Sequence, residues 1–412
     1  MTILPPKSRS PWQEIDTISW PRLKKDIRSD TAIVGGGISG IATLYYLLTL
    51  TDKQVVLVER ETIGCGATGN NAGFAWAHIE RPVNELVEEF GFEPVKEAFL
   101  ELDHGWDEYI KIHKLIGLEN NVEPLDNAGL GFGFTDVATL ERSLQDGALF
   151  QKMGRKKWEF YLSEEIEMEG EGIHRVPRKV ILEKLQTTDP SYIGLLYDSV
   201  DRARTNTYLF CHRLLQYLKN RFPSRFEVYE QTDIRHIEKN TLRHSSGTII
   251  TDALVLCTNG YSNQATPRAA YAAACPTSLP NDYSAAFITP RDPSVPYWHV
   301  TNCDSLTIYA GPEYANPALD LNEWNETFAL ITQFAQRTYG FNPCFQYQWY
   351  GIMGYTQTGL RWVGQDRQNP HLWYNLGCNG IGIVHAMASG ERIARLLNGE
   401  SLKPSLFSQF QS

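Results

Sequence analysis

The segment from Thr31 to Glu59 constrains the fold of this chain more than any other. Thr31-Ala-Ile-Val34 has the composition of a short buried strand and runs directly into Gly35-Gly-Gly-Ile-Ser-Gly40. An apolar stretch of helical length follows, and then Val55-Val-Leu-Val58 ends at the acid Glu59. This order predicts a strand, a tight turn, a helix and a second strand. A helix that begins in this way offers free backbone N–H groups and its positive dipole end to an anion.

Each glycine of the turn has a separate expected task. Gly35 forms the turn, Gly37 lets the backbone approach a pyrophosphate, and Gly40 lets the helix pack closely against the sheet. Glu59 follows Gly40 by 19 residues, where a carboxylate can accept hydrogen bonds from ribose hydroxyls. The alternative is a glycine-rich turn without a ligand. Because strand, helix and acid are all in place, the segment predicts dinucleotide binding.

A second glycine cluster near the C-terminus indicates which dinucleotide is bound. Leu372–Leu376 reads as a strand, Gly377-Cys-Asn-Gly-Ile-Gly382 as a loop, and Ile383–Leu397 as an amphipathic helix. A nicotinamide dehydrogenase needs only the first turn, whereas a flavin needs a second loop at its isoalloxazine end. An ordinary turn between strand and helix is the alternative, but it needs one glycine rather than three in six residues. The pair of clusters therefore predicts FAD.

Composition excludes several classes of function. A chain of 412 residues with 42% apolar content predicts two domains, and a net charge of −10 argues against a nucleic-acid surface. The seven cysteines form no CxxC pair, which favours a reducing compartment and predicts no metal site. The first residues lack the apolar core of a signal peptide, so a cytoplasmic location is expected. The uncharged stretch 32–51 contains four glycines, so no membrane span is expected there.

The nucleotide-binding elements are divided along the chain. We predict a discontinuous FAD-binding domain at 12–80, 199–262 and 350–400, with residues 81–198 and 263–349 forming a substrate domain. The first insertion carries helical patterns at Val83–Phe90 and Val95–Leu115, and the second is rich in aromatic residues and proline. The predicted fold class is α/β, with a Rossmann-like FAD-binding domain and an α+β second domain built on an antiparallel sheet.

Several motifs, in order, resemble those of the FAD-dependent D-amino-acid oxidase superfamily. The family includes glycine and sarcosine oxidases, and the chain is most similar to gamma-glutamylputrescine oxidase-like amine oxidases. Besides the two glycine clusters, the loop Gly64-Cys-Gly-Ala-Thr-Gly-Asn-Asn-Ala-Gly73 is similar to the family motif GASGRNGG. Three further segments also match the family pattern: Arg204-Thr-Asn-Thr-Tyr208, Leu256-Cys-Thr-Asn-Gly-Tyr261, and Tyr355-Thr356 with 359–364. The resemblance covers about Trp12 to Gly399.

The resemblance implies a set of residues that contact FAD. They are Gly35, Gly37, Ile38, Ser39, Gly40, Glu59, Arg60, Thr68, Gly69, Asn70, Asn71, Ala72, Thr258, Asn259, Gly260, Gly377, Asn379, Gly380, Ile381 and Gly382.

Departures from the family pattern change what it implies. Asn70 replaces the usual arginine of the GRNGG loop, and Met353 lies where relatives carry a flavin-linking cysteine or a carboxylate-binding arginine. FAD is therefore expected to be non-covalent, and the substrate to be an amine larger than glycine or sarcosine. Residues 301–311 contain no lysine of the kind that sarcosine oxidases place near the flavin. The sequence does not decide whether oxygen or another electron acceptor reoxidises the flavin.

The resemblance implies oxidation of a C–N bond, with a hydride passing from the carbon beside a neutral amine to flavin N5 and water hydrolysing the imine. His78, Tyr355 and Arg361 are the catalytic candidates. His78 is placed near the flavin face, with a core histidine as the alternative. Tyr355 is expected to line the pocket or to serve packing. Arg361 is expected to pair with an acidic substrate or to lie on the surface.

Two other functions stay open from sequence. One is a flavin domain acting in tRNA wobble-uridine modification, which the acidic charge disfavours, and the other is a flavin-binding subunit without turnover. Substrate-dependent bleaching of the flavin would distinguish an enzyme from a binding subunit, and retention on tRNA at low salt would test the tRNA-modification alternative. The oligomeric state is not predicted.

Overall fold

A computed structural model describes residues 8–124, 130–156, 158–198, 202–277, 279–280, 283–288, 297–303, 305–318 and 320–411. Across these ranges the helices are α1 Ile38–Leu50, α2 Val83–Phe90, α3 Phe92–Leu115, α4 Val137–Lys152, α5 Arg178–Lys184, α6 Thr207–Arg221, α7 Leu321–Tyr339 and α8 Gly382–Leu397. Among them we find no helix with the length and apolar character needed to cross a membrane.

The strands of the same ranges are β1 Ile27–Val34, β2 Val55–Val58, β3 Phe74–Trp76, β4 Val122–Pro124, β5 Leu130–Phe134, β6 Glu159–Ser163, β7 Ile173–Val176, β8 Gly194–Asp198, β9 Arg202–Thr205, β10 Phe226–Tyr229, β11 Ile234–Glu238, β12 Thr241–His244, β13 Gly247–Leu256, β14 Thr266–Pro276, β15 Ser284–Ile288, β16 Tyr297–Cys303, β17 Leu306–Tyr314, β18 Tyr347–Tyr355, β19 Trp362–Gln365 and β20 Leu372–Leu376.

One sheet has a parallel centre in the order β10-β2-β1-β13-β20. Its strands read as continuous apolar runs because helices cover the sheet, and all four residues of β2 are buried. In the register, Val34 lies opposite both Val58 and Leu256, and Leu256 lies opposite Tyr374. The carboxyl ends of these strands therefore meet at one edge, where both glycine clusters begin. The predicted Rossmann-like arrangement is confirmed.

The larger sheet has the order β18-β14-β17-β16-β15-β5-β8-β6-β7. Its pairings are antiparallel except for β15 with β5 and β6 with β7. Strands β5 to β8 come from the insertion 81–198, in which the sequence indicated helical patterns; those patterns correspond to α2 and α3. Strand β18 crosses the predicted boundary at residue 350, and the domain limits themselves stay a prediction.

Helix α7 was missed, since the aromatic content of 263–349 favoured strands and loops. Its buried residues Trp324, Phe328, Ile331 and Ala335 follow helical spacing, and the Asp320 carboxylate accepts hydrogen bonds from the first turn. The periodicity and the cap were readable in the sequence. The amphipathic face packs in the same core as the inner side of strands β14 to β17.

The N-terminal residues close over the loop 64–73. The Trp12 ring lies so near Gly73 that a Cβ there would be 2.3 Å from it, and the indole N–H donates to the Asn71 carbonyl over 2.8 Å. Gln13 donates to the Asn70 side-chain oxygen over 2.9 Å. These contacts hold the loop 64–73 in place at the edge of the parallel sheet.

Glycines allow the two helices at this edge to approach their neighbours. A Cβ on Gly40 would lie 1.9 Å from the Gly35 carbonyl oxygen, and one on Gly390 would lie 2.9 Å from the backbone of Ala42. Helix α8 can therefore lie directly on α1. Both helices begin at the carboxyl edge of the sheet, so their N-termini face the same region.

We expect Gly40→Ala to lower the free energy of unfolding by about 1–3 kcal/mol, because the added methyl group overlaps a backbone oxygen that cannot move without breaking the turn. Urea unfolding at fixed FAD concentration measures the change. Gly66→Ala is the control, because a Cβ at Gly66 meets nothing within 4 Å. Equal stability of the two variants would contradict the close approach described here.

Candidate active site

A cavity of about 1070 Å³ extends from the carboxyl edge of the parallel sheet to the face of the larger sheet. This is at the upper end of the size of ligand pockets. Of the predicted site residues, the cavity is lined by Gly35, Gly37, Ile38, Ser39, Glu59, Arg60, Thr68, Asn70, Asn71, Ala72, His78, Thr258, Asn259, Arg361, Gly380, Ile381 and Gly382.

Six predicted residues do not line the cavity: Asn379, Tyr355, Gly40, Gly69, Gly260 and Gly377. Close contacts explain why the last four are glycines. A Cβ at Gly69 would lie 2.6 Å from the Gly64 carbonyl oxygen, and one at Gly260 would lie 2.7 Å from that of Met353. Gly377 is equally close to a side-chain methyl group, and Gly40 contacts the first turn as described above. These residues position the cavity wall.

The first glycine turn is held from two sides. Gly35 has a φ of +111°, which favours glycine, and the Ile38 N–H donates to the Thr68 hydroxyl over 2.9 Å. The Glu59 carboxylate accepts from the Gly36 N–H over 2.7 Å. Burial raises the pKa of Glu59. Glu59 therefore supports the turn directly, and its contact with a ribose stays a prediction.

The loop around Asn70 is closed by its own side chains. The Asn70 amide donates to the Cys65 carbonyl over 2.6 Å, and the Asn71 amide donates to the Thr207 hydroxyl over 2.7 Å. The Asn70 side chain therefore stabilises the loop by bonding to its backbone, at the position where the family pattern has arginine. Nearby, the Arg60 guanidinium lies 4.5 Å above the Tyr261 ring.

The second glycine loop is tied to two other segments. Asn379, at a φ of 45°, accepts from the Thr356 N–H over 2.9 Å, and Asn259 accepts from the Cys378 N–H over 3.0 Å. Gly380 has a φ of +92° and Gly382 begins α8. The free N–H groups of α8 therefore face the cavity, where they can stabilise negative charge on a bound ring.

His78 lies among aromatic rings at the side of the cavity. Its ring centre is 4.1 Å from that of Trp76 and 5.4 Å from that of Phe150, and the side chain is 8% exposed. Burial, and then the nearby Arg155, hold the pKa of His78 well below its ordinary value. The imidazole is therefore neutral at physiological pH. Its backbone carbonyl accepts from the buried His385 over 2.8 Å.

Tyr355 and Arg361 have different neighbours, the first an acid of the larger sheet and the second polar side chains near the first glycine turn. The Tyr355 hydroxyl donates to the Glu313 carboxylate over 3.0 Å, and burial raises the pKa of the phenol. Arg361 is only 2% exposed, so it is not a surface residue. Its guanidinium donates to the side chains of Asn375 and Ser39, the latter within the first glycine turn.

Several carboxylates that line the cavity were not predicted from the sequence, among them Glu80 and Glu313. A Cβ at Gly380 would lie 3.3 Å from the Glu80 carboxyl, so this acid is beside the second glycine loop. Enclosure by protein, and then the neighbouring Glu313, raise the pKa of Glu80 to about 8. A sequence signal was present, because Phe74, Trp76, His78 and Glu80 occupy alternate positions after the glycine loop, as residues on one face of an extended segment do, and all four line the cavity along with Ile79. Within the described ranges, no cluster of three His, Cys, Asp or Glu residues is arranged to hold a metal ion.

Comparison with known proteins gives a consistent result. A family model described as FAD dependent oxidoreductase (DAO) matches residues 30–396. Gamma-glutamylputrescine oxidoreductase of Escherichia coli (strain K12) is 21% identical over 397 residues, which is 92% of this chain and 86% of that protein. A putative Rieske 2Fe-2S iron-sulfur protein, YhfW of Bacillus subtilis (strain 168), is 32% identical over 96 residues, which is 23% of this chain and 18% of that protein.

Solved structures share the fold. Glycine oxidase from Geobacillus kaustophilus superposes with a TM-score of 0.70 at 16% identity, covering 92% of this chain and 98% of that one. L-proline dehydrogenase from P. horikoshii has a TM-score of 0.67 at 15% identity, covering 94% and 97%. The resemblance inferred from the sequence motifs is thereby confirmed.

We expect FAD to be bound without a covalent link. Met353 lines the cavity at the position expected to carry a linking cysteine, but Cys65, Cys257 and Cys378 also line it. Acid precipitation of the purified protein should leave the yellow colour in the supernatant. Flavin that pellets with the protein would contradict this, and Cys378→Ser, beside the second glycine loop, would then test the link.

Proposed function

The chain belongs to the DAO family of FAD-dependent oxidoreductases, and on that premise we propose that it oxidises a C–N bond in a cationic amine or amino-acid derivative. FAD, when bound, supplies the chemistry by accepting a hydride at N5, and the resulting imine is hydrolysed by water. The observation that carries the proposal is the pair of carboxylates, Glu80 and Glu313, in the cavity beside the second glycine loop.

The residues present fit FAD. The cavity reaches the N-termini of two helices, α1 and α8, and glycines or small side chains form the wall at both. The first helix start suits a diphosphate and the second suits an electron-poor ring that gains negative charge. The amide of Asn70, which closes its own loop, leaves the cavity wall at that loop neutral.

The acid pair favours a cationic substrate over a free carboxylate. Glu313 is 7% exposed, accepts from Tyr355, and has the Arg268 guanidinium 3.7 Å away. Glu80 is exposed to solvent within the cavity, its carboxyl accepts a hydrogen bond from the Tyr297 hydroxyl, and none of the described groups that shift its pKa is a cation. A carboxylate substrate placed here would meet a like charge, whereas an ammonium group would form a charge-assisted hydrogen bond.

Aromatic residues supply the apolar part of the same pocket. The Trp76 ring centre lies 6.1 Å from that of Phe74 and 5.5 Å from that of Phe132, and all three residues line the cavity. Such a wall suits the alkyl chain of an amine and the face of a cation. Its breadth supports a substrate larger than glycine.

Glu80 is also suited to remove a proton. An amine must lose its extra proton before it can release a hydride from the neighbouring carbon. An ordinary glutamate has a pKa near 4.3, too low to compete for that proton, whereas a carboxyl with a pKa of about 8 is a much better acceptor. Glu80 thus binds the ammonium group and receives its proton, and Tyr355 holds Glu313 in place.

Anaerobic mixing of the oxidised protein with a panel of amines tests the function. We expect bleaching of the flavin by amines that carry a second polar or charged group, and little with glycine. Efficient bleaching by glycine would overturn the substrate class. No bleaching by any amine or amino acid would favour a flavin-binding subunit, and retention on tRNA at low salt would favour the nucleic-acid alternative.

We expect kcat/KM for a cationic amine to rise as the pH increases through about 8. Glu80 is protonated and neutral below this pH and becomes a carboxylate above it. Glu80→Gln should move the rising limb to the higher pKa of the substrate's own ammonium group and lower kcat/KM at about pH 8 by roughly 100-fold or more, the usual range for a lost general base. Steady-state kinetics from pH 6 to 10 measure both effects.

Glu101→Gln is the matched control. Glu101 is a carboxyl whose pKa burial also raises, but it bonds to Ser405 and Arg392 away from the cavity. Its pH profile should match that of the wild type. If Glu80→Gln keeps the wild-type profile, Glu80 takes no part in the reaction.

A further inference from the structure

Among the described residues, Arg361 is a buried cation without an anionic partner. Its Nε and Nη2 atoms donate to the Asn375 side-chain oxygen over 3.0 and 2.9 Å, and Nη2 also donates to the Ser39 hydroxyl. Burial lowers its pKa to about 10, so the guanidinium is charged at neutral pH. In the part of the chain that the structure describes, no carboxylate forms an ion pair with it, and the ionisable groups that raise its pKa are the thiols of Cys378 and Cys257.

The partners of Arg361 orient it but do not neutralise it. The Asn375 amide donates to the Thr43 hydroxyl over 3.0 Å, and that hydroxyl donates to the Ser39 carbonyl over 2.7 Å. The network joins strand β20 to the first turns of helix α1. It is neutral throughout, so the guanidinium is held in one orientation while its charge is left uncompensated.

Two helix N-termini add to the same positive potential. Ser39 is the second residue of α1, and Gly382 is the first residue of α8. A Cβ at Gly382 would lie 3.5 Å from the Nη1 atom of Arg361. The guanidinium, which lines the cavity, therefore lies between two positive dipole ends. Without an anion this arrangement is costly, because three positive sources would be buried together.

We propose that Arg361 completes a binding site for the diphosphate of FAD, between the N-termini of α1 and α8. The diphosphate rather than a substrate carboxylate is assigned because Arg361 bonds to Ser39 in the first glycine turn. The acid pair that we assign to the substrate lies instead against Gly380. The inference needs FAD as the dinucleotide, and it is independent of which amine is oxidised.

The test is titration of the apoprotein with FAD and with riboflavin, which lacks phosphate, followed by flavin fluorescence. Arg361→Met should weaken FAD binding by roughly 10- to 150-fold, the effect of one charged hydrogen bond, and should leave riboflavin binding at its wild-type value. Arg361→Lys keeps the charge and should recover part of the loss.

Asn375→Asp tests the same charge while keeping the arginine. The new carboxylate would lie where the Asn375 oxygen accepts both guanidinium bonds, and would neutralise the site. We expect weaker FAD binding with a melting temperature of the apoprotein that is unchanged or higher. This variant decides the matter if Arg361→Met does not fold.

Arg225→Met is the control for loss of a half-buried arginine. Arg225 donates to the backbone carbonyls of Thr51 and Lys53 at the far end of helix α1. Its removal should leave FAD affinity unchanged.

Three results would overturn the proposal. They are wild-type FAD affinity in both Arg361→Met and Asn375→Asp, an equal loss for FAD and riboflavin, and unchanged FAD affinity with a raised KM for an acidic substrate. Because the titration needs no substrate, it succeeds or fails independently of the amine panel.

Discussion

The structure depends on the close contact between helices α1 and α8. Gly390 lies against the backbone of Ala42 at a distance that leaves no room for a side chain, so the two helices pack backbone to backbone. Each helix follows a parallel strand, and β1, β13 and β20 end in register. The helix N-termini are therefore directed at one cavity. Two anion-stabilising helix ends that open on one cavity suit a ligand with a charged middle and an electron-accepting ring.

The cavity is lined by a cation in the part that we assign to the cofactor and by acidic side chains in the part that we assign to the substrate. Arg361 and the start of α1 make the region at the first glycine turn positive. Glu313, together with Glu80 once it ionises above about pH 8, makes the region beyond Gly380 negative. A cofactor that carries phosphate and a substrate that carries an ammonium group would each be attracted to a different place. This separation of charge therefore directs the cofactor and the substrate to different parts of the cavity before specific contacts form.

Local sequence signals predicted much of the fold. Helices α1, α2 and α8 and strands β2 and β20 fall where periodicity and glycine spacing placed them, because each is determined by neighbouring residues. Helix α7 was missed because aromatic content was given more weight than spacing. Glu80 and Glu313 could not be paired from sequence, since they meet only when strand β17 is folded against the segment after β3. The buried state of Arg361 likewise depends on Asn375, in strand β20, and on Ser39, which is 322 residues away in the chain.

The pairing of strand β13 makes the parallel sheet dependent on the C-terminal segment. Its first residues pair with β12, whereas Leu254 to Leu256 pair on that side with β20. A chain that ended before Leu372 would leave this apolar stretch with unpaired N–H and C=O groups. An open edge of that kind recruits strands from other molecules and leads to aggregation. The C-terminal segment therefore protects the sheet against self-association, in addition to carrying the second glycine loop.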